Sequence, residues 1–266
     1  MTVLAIIPAR FASSRFPGKP LAPLSGRPVI QWVYERARAA RRVDDVIVAT
    51  DDARIAAAVE AFGGRAVLTS STHRSGTDRL AEVLRGSPAA QRAAAIVNVQ
   101  GDEPLLDPAS IDRAVEPLLS DGGIEMSTLC TAIVDPADAA DPNTVKVVTD
   151  REGFALYFSR SPIPFHRDGQ MDDAPVAMKH VGLYVYRPAT LRRLAALAAT
   201  PLEQAESLEQ LRALEHGIRI RVVAVERDSI GIDTPEDLRR AETLVEKLRA
   251  GSAGVPGAPA GGEGVH

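Results

Sequence analysis

Arg10, Arg15 and Lys19 fall within ten residues of one another, in the stretch Pro8-Ala9-Arg10-Phe11-Ala12-Ser13-Ser14-Arg15-Phe16-Pro17-Gly18-Lys19-Pro20-Leu21. Two guanidinium forks and an ammonium match the oxygens of a triphosphate, and Ser13, Ser14 and nearby backbone N–H groups add neutral donors. A solvated loop with scattered basic residues has the same composition, so charge alone leaves both readings open. Two aspartates complete the chemistry-bearing set. Asp102 follows an apolar run in Gln100-Gly101-Asp102-Glu103-Pro104, and Asp233 precedes a helical pattern in Gly231-Ile232-Asp233-Thr234-Pro235. Mg²⁺ takes one or two protein carboxylates plus phosphate oxygens and water, so two aspartates and a nucleotide would suffice to hold it. Asp233 fits an ordinary residue before a helix N-terminus equally well. The chain has no G-x-x-x-x-G-K-[ST] and no G-x-G-x-x-G, which disfavours P-loop and dinucleotide-binding folds.

These residues need strands to aim them. Residues 3–7, 46–49, 66–68 and 96–99 read as short buried strands. Between them, Ile30, Val33, Tyr34 and Ala37, then Ile55, Val59 and Phe62, then Leu80, Val83 and Leu84, mark amphipathic helices, the first opened by Pro28. Strand and helix alternating at this pitch predict a parallel sheet covered on both faces. The basic loop then leaves the carboxyl end of the first strand, where open α/β sheets bind ligands. The middle changes character: 126–133, 145–148, 154–158 and 179–186 are strand-like, which predicts an antiparallel excursion from the main sheet. Helices are expected over 189–197 and 203–215, the second stopped by Gly217, and a strand over 218–225. Thr234 as N-cap, Pro235 at N1 and Asp237 at N3 open a last helix with Leu238, Ala241, Leu244, Val245 and Leu248 as its stripe. The Gly- and Pro-rich residues 250–266 are expected to be disordered, leaving one domain over 1–249.

Bulk composition narrows the partners. The 266 residues carry 31 basic and 35 acidic side chains, a formal charge of −4, which argues against bulk electrostatic binding of nucleic acid. Cys130 is the only cysteine, so an intrachain disulfide and a thiolate metal cage are excluded. Neither a basic leader nor an apolar run of about 20 residues is present, so a soluble, cytoplasmic protein without membrane partners is expected.

The basic loop resembles the signature loop of the sugar-acid cytidylyltransferases, above all those acting on the eight-carbon acid Kdo (3-deoxy-D-manno-octulosonate). The likeness continues in order through Ala49-Thr50-Asp51-Asp52, His73-Arg74-Ser75-Gly76-Thr77-Asp78-Arg79, Asn98 to Pro104, Pro142-Asn143-Thr144-Val145-Lys146-Val147-Val148 and Tyr157-Phe158-Ser159-Arg160-Ser161-Pro162-Ile163-Pro164. It closes with His180-Val181-Gly182-Leu183-Tyr184, Leu208-Glu209-Gln210-Leu211-Arg212 and Gly231 to Leu238, and so covers residues 2 to about 248. Phe11 stands where the family often has tyrosine, Phe16 where it often has leucine, and residues 166–176 form an irregular, lid-like stretch.

This resemblance implies an α/β, Rossmann-like nucleotidyltransferase fold of glycosyltransferase-A type, with a mixed sheet flanked by helices. It implies CMP transfer from CTP to the anomeric hydroxyl of Kdo for lipopolysaccharide synthesis, by in-line attack on the α-phosphorus with pyrophosphate leaving. It makes Asp102 and Asp233 the magnesium aspartates, with Arg10 and Lys19 beside them as catalytic groups. Pro8, Ala9, Arg10, Arg15, Lys19, Ser75, Gly76, Arg79 and Gln100 would hold the nucleotide. Gln100, Arg160, His180, Tyr184, Glu209 and Gln210 would hold the sugar acid, Arg160 answering its carboxylate. Each has a plain alternative: Ser75 and Thr77 as helix caps, Arg160 as a surface residue, His180 and Tyr184 as packing on one face of a strand. A homodimer is implied, with residues 126–190 as lid and two-fold interface. The same chemistry on 8-amino-Kdo or sialic acid, and a non-catalytic nucleotide-binding module, are the competing readings.

Overall fold

The computed structural model describes residues 1–12, 15–73, 75–165, 167 and 178–252. Ser13, Ser14 and Arg74, most of the expected lid and the tail beyond Ser252 lie outside the described residues.

The first half builds as its apolar pattern dictates. Strand β1 (Val3–Ala9) is followed by a 3-10 turn (Lys19–Leu21) and a hairpin of β2 (Pro23–Leu24) and β3 (Arg27–Pro28). Then come α1 (Val29–Ala39), β4 (Asp45–Thr50), α2 (Ala53–Ala61), β5 (Ala66–Leu68), α3 (Gly76–Gly86), α4 (Pro88–Gln91) and β6 (Ala95–Asn98). Next is α5 (Pro108–Ser120), a helix missing from the sequence reading although its signals are present. Asp107 caps it by accepting from Ala109 N, Pro108 is at N1, and Ile111, Ala114, Val115 and Leu118 form its buried stripe.

The second half runs β7 (Met126–Ala132), α6 (Pro136–Ala140), β8 (Lys146–Thr149), β9 (Ala155–Ser159), β10 (Met178–Tyr186) and α7 (Pro188–Ala196). It ends with α8 (Pro201–Glu206), α9 (Gln210–Glu215), β11 (Ile220–Ala224) and α10 (Pro235–Ser252). Two expectations need correction. The single helix at 203–215 is two, because Ser207 adopts a left-handed backbone (φ 52°) that ends α8 and turns the chain. The last helix runs through Ser252, past the point where the tail was expected to begin. The expected antiparallel excursion is present as β8 and β9, which leave the main path, while β7 and β10 lie inside the main sheet.

The sheet order is β11-β7-β10-β6-β1-β4-β5. β1 pairs in parallel with β4 and β6, β4 with β5, and β7 with β11, while β10 runs against both β6 and β7. Alternation along β1 divides the core. Val3, Ala5, Ile7 and Ala9 pack under α1, α2, α5 and α10, and Leu4 and Ile6 pack under α3, α7 and α9. Full burial of Ile6 and Ile7 makes β1 intolerant of truncation, at about 2–5 kcal/mol for an alanine.

Candidate active site

β1 has β4 on one side and β6 on the other, so the loops leaving their carboxyl ends diverge and open a crevice. Pro8 is its hinge point. A Cβ on Gly101 would lie 2.7 Å from the Pro8 carbonyl oxygen, and one on Gly76 would lie 3.3 Å from Pro8 Cγ. Only glycine lets the loop after β6 pass so close, which is why Gln100 and Asp102 reach the basic loop. The third loop arrives by a backbone bond, Ile232 N donating to Asp102 O at 2.8 Å, and this brings Asp233 alongside.

The two aspartates, 131 positions apart in sequence, converge on one cation. Lys19 Nζ lies 2.7 Å from Asp102 Oδ2 and 3.2 Å from Asp233 Oδ1, and Arg15 meets the other Asp233 oxygen at 3.0 Å. Lys19 is aimed by its backbone. Gly18, at φ 74°, starts the 3-10 turn and donates to Phe11 O at 2.9 Å. Arg54 lies 3.5 Å over the Phe11 ring and forks onto Asp52, whose carboxyl it holds at about 2. Two carboxylates already gathered around an ammonium are a hard-oxygen donor set of the kind Mg²⁺ accepts with phosphate and water. The fit is to a site completed by a ligand, since the described residues contain no group of three or more metal-ligating side chains.

A cavity of about 510 Å³ opens here. Pro8, Ala9, Arg10, Arg15 and Lys19 line it from the first loop, Ser75, Gly76 and Arg79 from α3, Gln100 and Asp102 from the loop after β6, and Asp233 from the third. Arg79 is fully buried, bonded to Thr69 Oγ1 at 2.5 Å and Asp51 Oδ2 at 3.2 Å, so it adds positive charge from beneath. The other sequence-derived residues, Arg160, His180, Tyr184, Glu209 and Gln210, do not line this cavity.

Four of those five lie on β10 and at the start of α9, and Glu209 among them meets α3 through Thr77. Rings of His180 and Tyr184 lie 5.4 Å apart, closer than four residues of regular strand permit. The cause is a bulge: His180 faces Cys130 while Tyr184 faces Thr128, so four steps of β10 span two of β7. Thr128 Oγ1 donates to Leu183 O at 2.8 Å and has one hydrogen, so it accepts from His180 Nε2 at 2.9 Å. Burial holds His180 near a pKa of about 3, hence neutral. Glu209 and Gln210 stand at the start of α9 behind the Ser207 break.

Asn98, Glu103 and Tyr186 join these four and were not singled out from sequence. Asn98 and Tyr184 are partners across β6 and β10, and Glu103 Oε1 would lie 3.6 Å from a Cβ on Gly182 in the bulge. Burial, then the neighbouring Asp102 charge, raise Glu103 to about 7. Burial also pushes the Tyr184 and Tyr186 phenols upward, so both stay protonated donors. Glu103 Oε2, Glu209 Oε1 and Gln210 Nε2 are buried without a hydrogen bond of good geometry, an arrangement that suits a ligand carrying several hydroxyls.

Arg160 is placed elsewhere. Its Nε donates to Glu206 O at 2.7 Å and its Nη1 to Pro142 O at 2.9 Å, tying the end of α8 to the loop before β8. Cys130 is buried with its thiol raised to about 11 and is no nucleophile. The arrangement can hold a polyanion by its basic loop, gather a divalent cation at Asp102 and Asp233, and present a polyol from the α3 side.

Comparison with known proteins agrees along nearly the whole chain. The family model described as cytidylyltransferase matches residues 4–220. The 3-deoxy-manno-octulosonate cytidylyltransferase of Geobacter metallireducens is 57% identical over 256 residues, 93% of this chain and 98% of the relative. That of Solibacter usitatus is 53% identical over 242 residues, 91% and 94% of the two chains. A solved CMP:2-keto-3-deoxy-manno-octonic acid synthetase complexed with CTP superposes with a TM-score of 0.87 at 44% identity, over 93% of this chain and all of that one. A 4-diphosphocytidyl-2C-methyl-D-erythritol synthase from Anaerococcus prevotii, at 18% identity and TM-score 0.59 over 92% and 98% of the chains, shares the fold alone. With the family model covering most of its length and relatives above half identity end to end, the chain belongs to the cytidylyltransferase family, in its 3-deoxy-manno-octulosonate branch.

Proposed function

We propose that this chain transfers CMP from CTP to the anomeric hydroxyl of Kdo, releasing pyrophosphate and supplying CMP-Kdo for lipopolysaccharide synthesis. The observation that carries the reading is the meeting of Asp102 and Asp233 on Lys19 at the mouth of the cavity. The names of the relatives, and the CTP held by the solved synthetase, support the choice of substrates.

Asp102 and Asp233 would hold Mg²⁺, which when bound lowers the pKa of an attacking hydroxyl and neutralises charge on the phosphates. Lys19 and Arg10 then face the triphosphate, with Arg15 at its outer end, and favour charge moving onto the leaving pyrophosphate. Ser75 and Gly76 bring the N-terminus of α3 to the nucleotide, and Pro8 and Ala9 offer main-chain groups to the base. Gln100 lies between nucleotide and acceptor. His180, Tyr184, Glu209 and Gln210 take the hydroxyls of the sugar acid, and Arg160 would have to leave its carbonyl partners to meet the carboxylate. The rate gain is positional and electrostatic, with no covalent enzyme intermediate.

The proposal includes one catalytic domain over 1–249 and a homodimer formed through the middle segment. Strand β9 leaves the sheet path with Leu156 62% exposed, and Val134 and Phe165 are about 90% and 89% exposed. A monomer in sedimentation at micromolar concentration would remove the dimer. No described helix is long and apolar enough to cross a membrane; the proposal includes a cytoplasmic location.

Pyrophosphate release with CTP, UTP, ATP or GTP, each with and without Kdo and Mg²⁺, tests the whole reading. Release is expected only with CTP, Kdo and metal together. Turnover with sialic acid or 8-amino-Kdo but not Kdo would transfer the assignment to another sugar acid, and no release with any acceptor would leave a nucleotide-binding module.

A further inference from the structure

Thr77 occupies the second position of α3, where a hydroxyl ordinarily serves its own helix. That service is already given by Ser75, whose Oγ accepts from Asp78 N at 3.2 Å while the Asp78 carboxylate accepts from Ser75 N at 3.2 Å. Thr77 is instead 1% exposed and donates to Glu209 Oε2 at 2.9 Å, across 132 residues of chain. Glu209 reaches it because the left-handed Ser207 separates α8 from α9. Its other oxygen, Oε1, is buried without a hydrogen bond of good geometry, although the Ser75 hydroxyl also acts on the carboxylate and Arg212, which forks onto Glu203, pairs with it at 3.8 Å. A buried carboxylate oxygen without a donor is costly unless a ligand supplies one. Beside this pair, the buried Tyr186 phenol lies within hydrogen-bonding reach of Thr77 and Asn98, and Gln210 Nε2 is buried and unpartnered.

The turn is therefore a shared wall. Ser75 and Gly76 face the cavity of the nucleotide, and the next residue faces the carboxylate on the other side. Valine would keep the shape of Thr77 and leave Glu209 free to rotate or to draw a proton. We infer that Thr77 is a positioning residue for the acceptor: its hydroxyl clamps one oxygen of Glu209 so that the other meets a hydroxyl of the incoming sugar acid. This rests on the acceptor reading given above.

Steady-state kinetics of the full-length enzyme test it, with separate KM values for CTP and Kdo in wild type, T77V, T77A, T77S, E209Q and the T77V/E209Q double variant. T77V and T77A are expected to raise KM for Kdo roughly ten-fold, the scale of one hydrogen bond to a charged group, with KM for CTP within about two-fold. T77S restores the hydroxyl and should return KM for Kdo to near the wild-type value. In the E209Q background, T77V should add less than about two-fold, because the two act as one unit. An equal rise in both KM values, or a full ten-fold loss on top of E209Q, would overturn the positioning role and make Thr77 a packing residue. Wild-type turnover in the same assay separates the claims. Its absence with Kdo sinks the acceptor reading and this inference together, whereas an active wild type with an unchanged T77V sinks only this inference.

Discussion

The two ends of the site are built on opposite physical plans. The end proposed for the nucleotide is a set of loops carrying formal charges, part-exposed, whose cations and carboxylates are paired with each other: Arg15 with Asp233, Lys19 with both aspartates. The end proposed for the acceptor is laid on regular elements, β6, β10, α3 and α9, with groups buried and left singly unsatisfied. The Arg15–Asp233 pair is exposed and adds little to folding, and each part-buried Lys19 pair has a second carboxylate to fall back on. The first end can therefore rearrange around substrate at modest cost to stability. Burial makes every unpaired group at the second end expensive, so it must be fixed by folding. Changes at the first end should strike turnover, and changes at the second should strike stability and acceptor affinity.

The sharpest break is Asp102→Asn. Its side chain is one-third exposed and its partner Lys19 keeps Asp233, so the melting temperature should move by no more than a few degrees. Loss of one of the two carboxylates proposed to hold the metal should lower pyrophosphate release about 1000-fold, the upper range for removing a preorganised charge. Retention of a tenth of the wild-type rate would place the metal elsewhere and dissolve the distinction between the two ends.

Lys146 offers the converse. Its ammonium is fully buried on β8 and donates to three main-chain carbonyls, Asp141 O at 2.9 Å, Thr144 O at 2.6 Å and Arg160 O at 2.5 Å. Lys146→Met leaves the Thr144 and Arg160 carbonyls without the ammonium donor, while Asp141 O keeps Thr144 N at 3.1 Å, and a loss of about 3 kcal/mol is expected. Thermal unfolding should fall by roughly 10 °C in a protein of this size. KM for the acceptor should rise, because the chain around Arg160 loses its anchor, while KM for CTP stays near the wild-type value. A melt unchanged within 2 °C, as for a surface substitution, would show that the Lys146 ammonium does not hold these carbonyls as described.

Legibility in the sequence followed the same division. Arg10, Arg15, Lys19, Asp102 and Asp233 were readable because charge in a short loop after an apolar run is unusual and strand-to-helix junctions are marked by Gly and Pro. The sheet was readable from the apolar runs of β1, β4 and β6, which are buried on both faces. The second region was readable only as resemblance. Nothing in the spacing of His180 and Tyr184 announces the bulge that draws their rings together, and nothing before Glu209 announces the left-handed Ser207. Thr77 reads as a cap because local hydrogen bonding is the usual use of a hydroxyl at that position; its partner 132 residues away is a tertiary fact. Arg160 shows the reverse. A cation near a motif invites a ligand, yet its guanidinium is bonded to main-chain carbonyls.

The smallest effect expected separates burial from charge within the acceptor end. His180 has a folded pKa of about 3 against an ordinary 6.5, so between those values the unfolded chain binds a proton that the folded chain refuses. Stability from this residue is complete above pH 6.5 and is lost as pH falls toward 3; at pH 5 the loss is about 2 kcal/mol. His180→Gln removes that titration and retains a donor toward Thr128. The variant should be less stable than wild type at pH 8, through lost packing against Phe158 and Tyr184, with the gap narrowing by about 2 kcal/mol at pH 5 in urea unfolding. Glu103 and Glu209 are shifted the other way by burial and oppose this slope, but they are present in both proteins and cancel in the difference. A gap that stays constant from pH 8 to pH 5 would mean that His180 titrates freely in the folded protein. The acceptor end would then be wetter than its geometry requires, and the contrast between the two regions would reduce to one of charge alone.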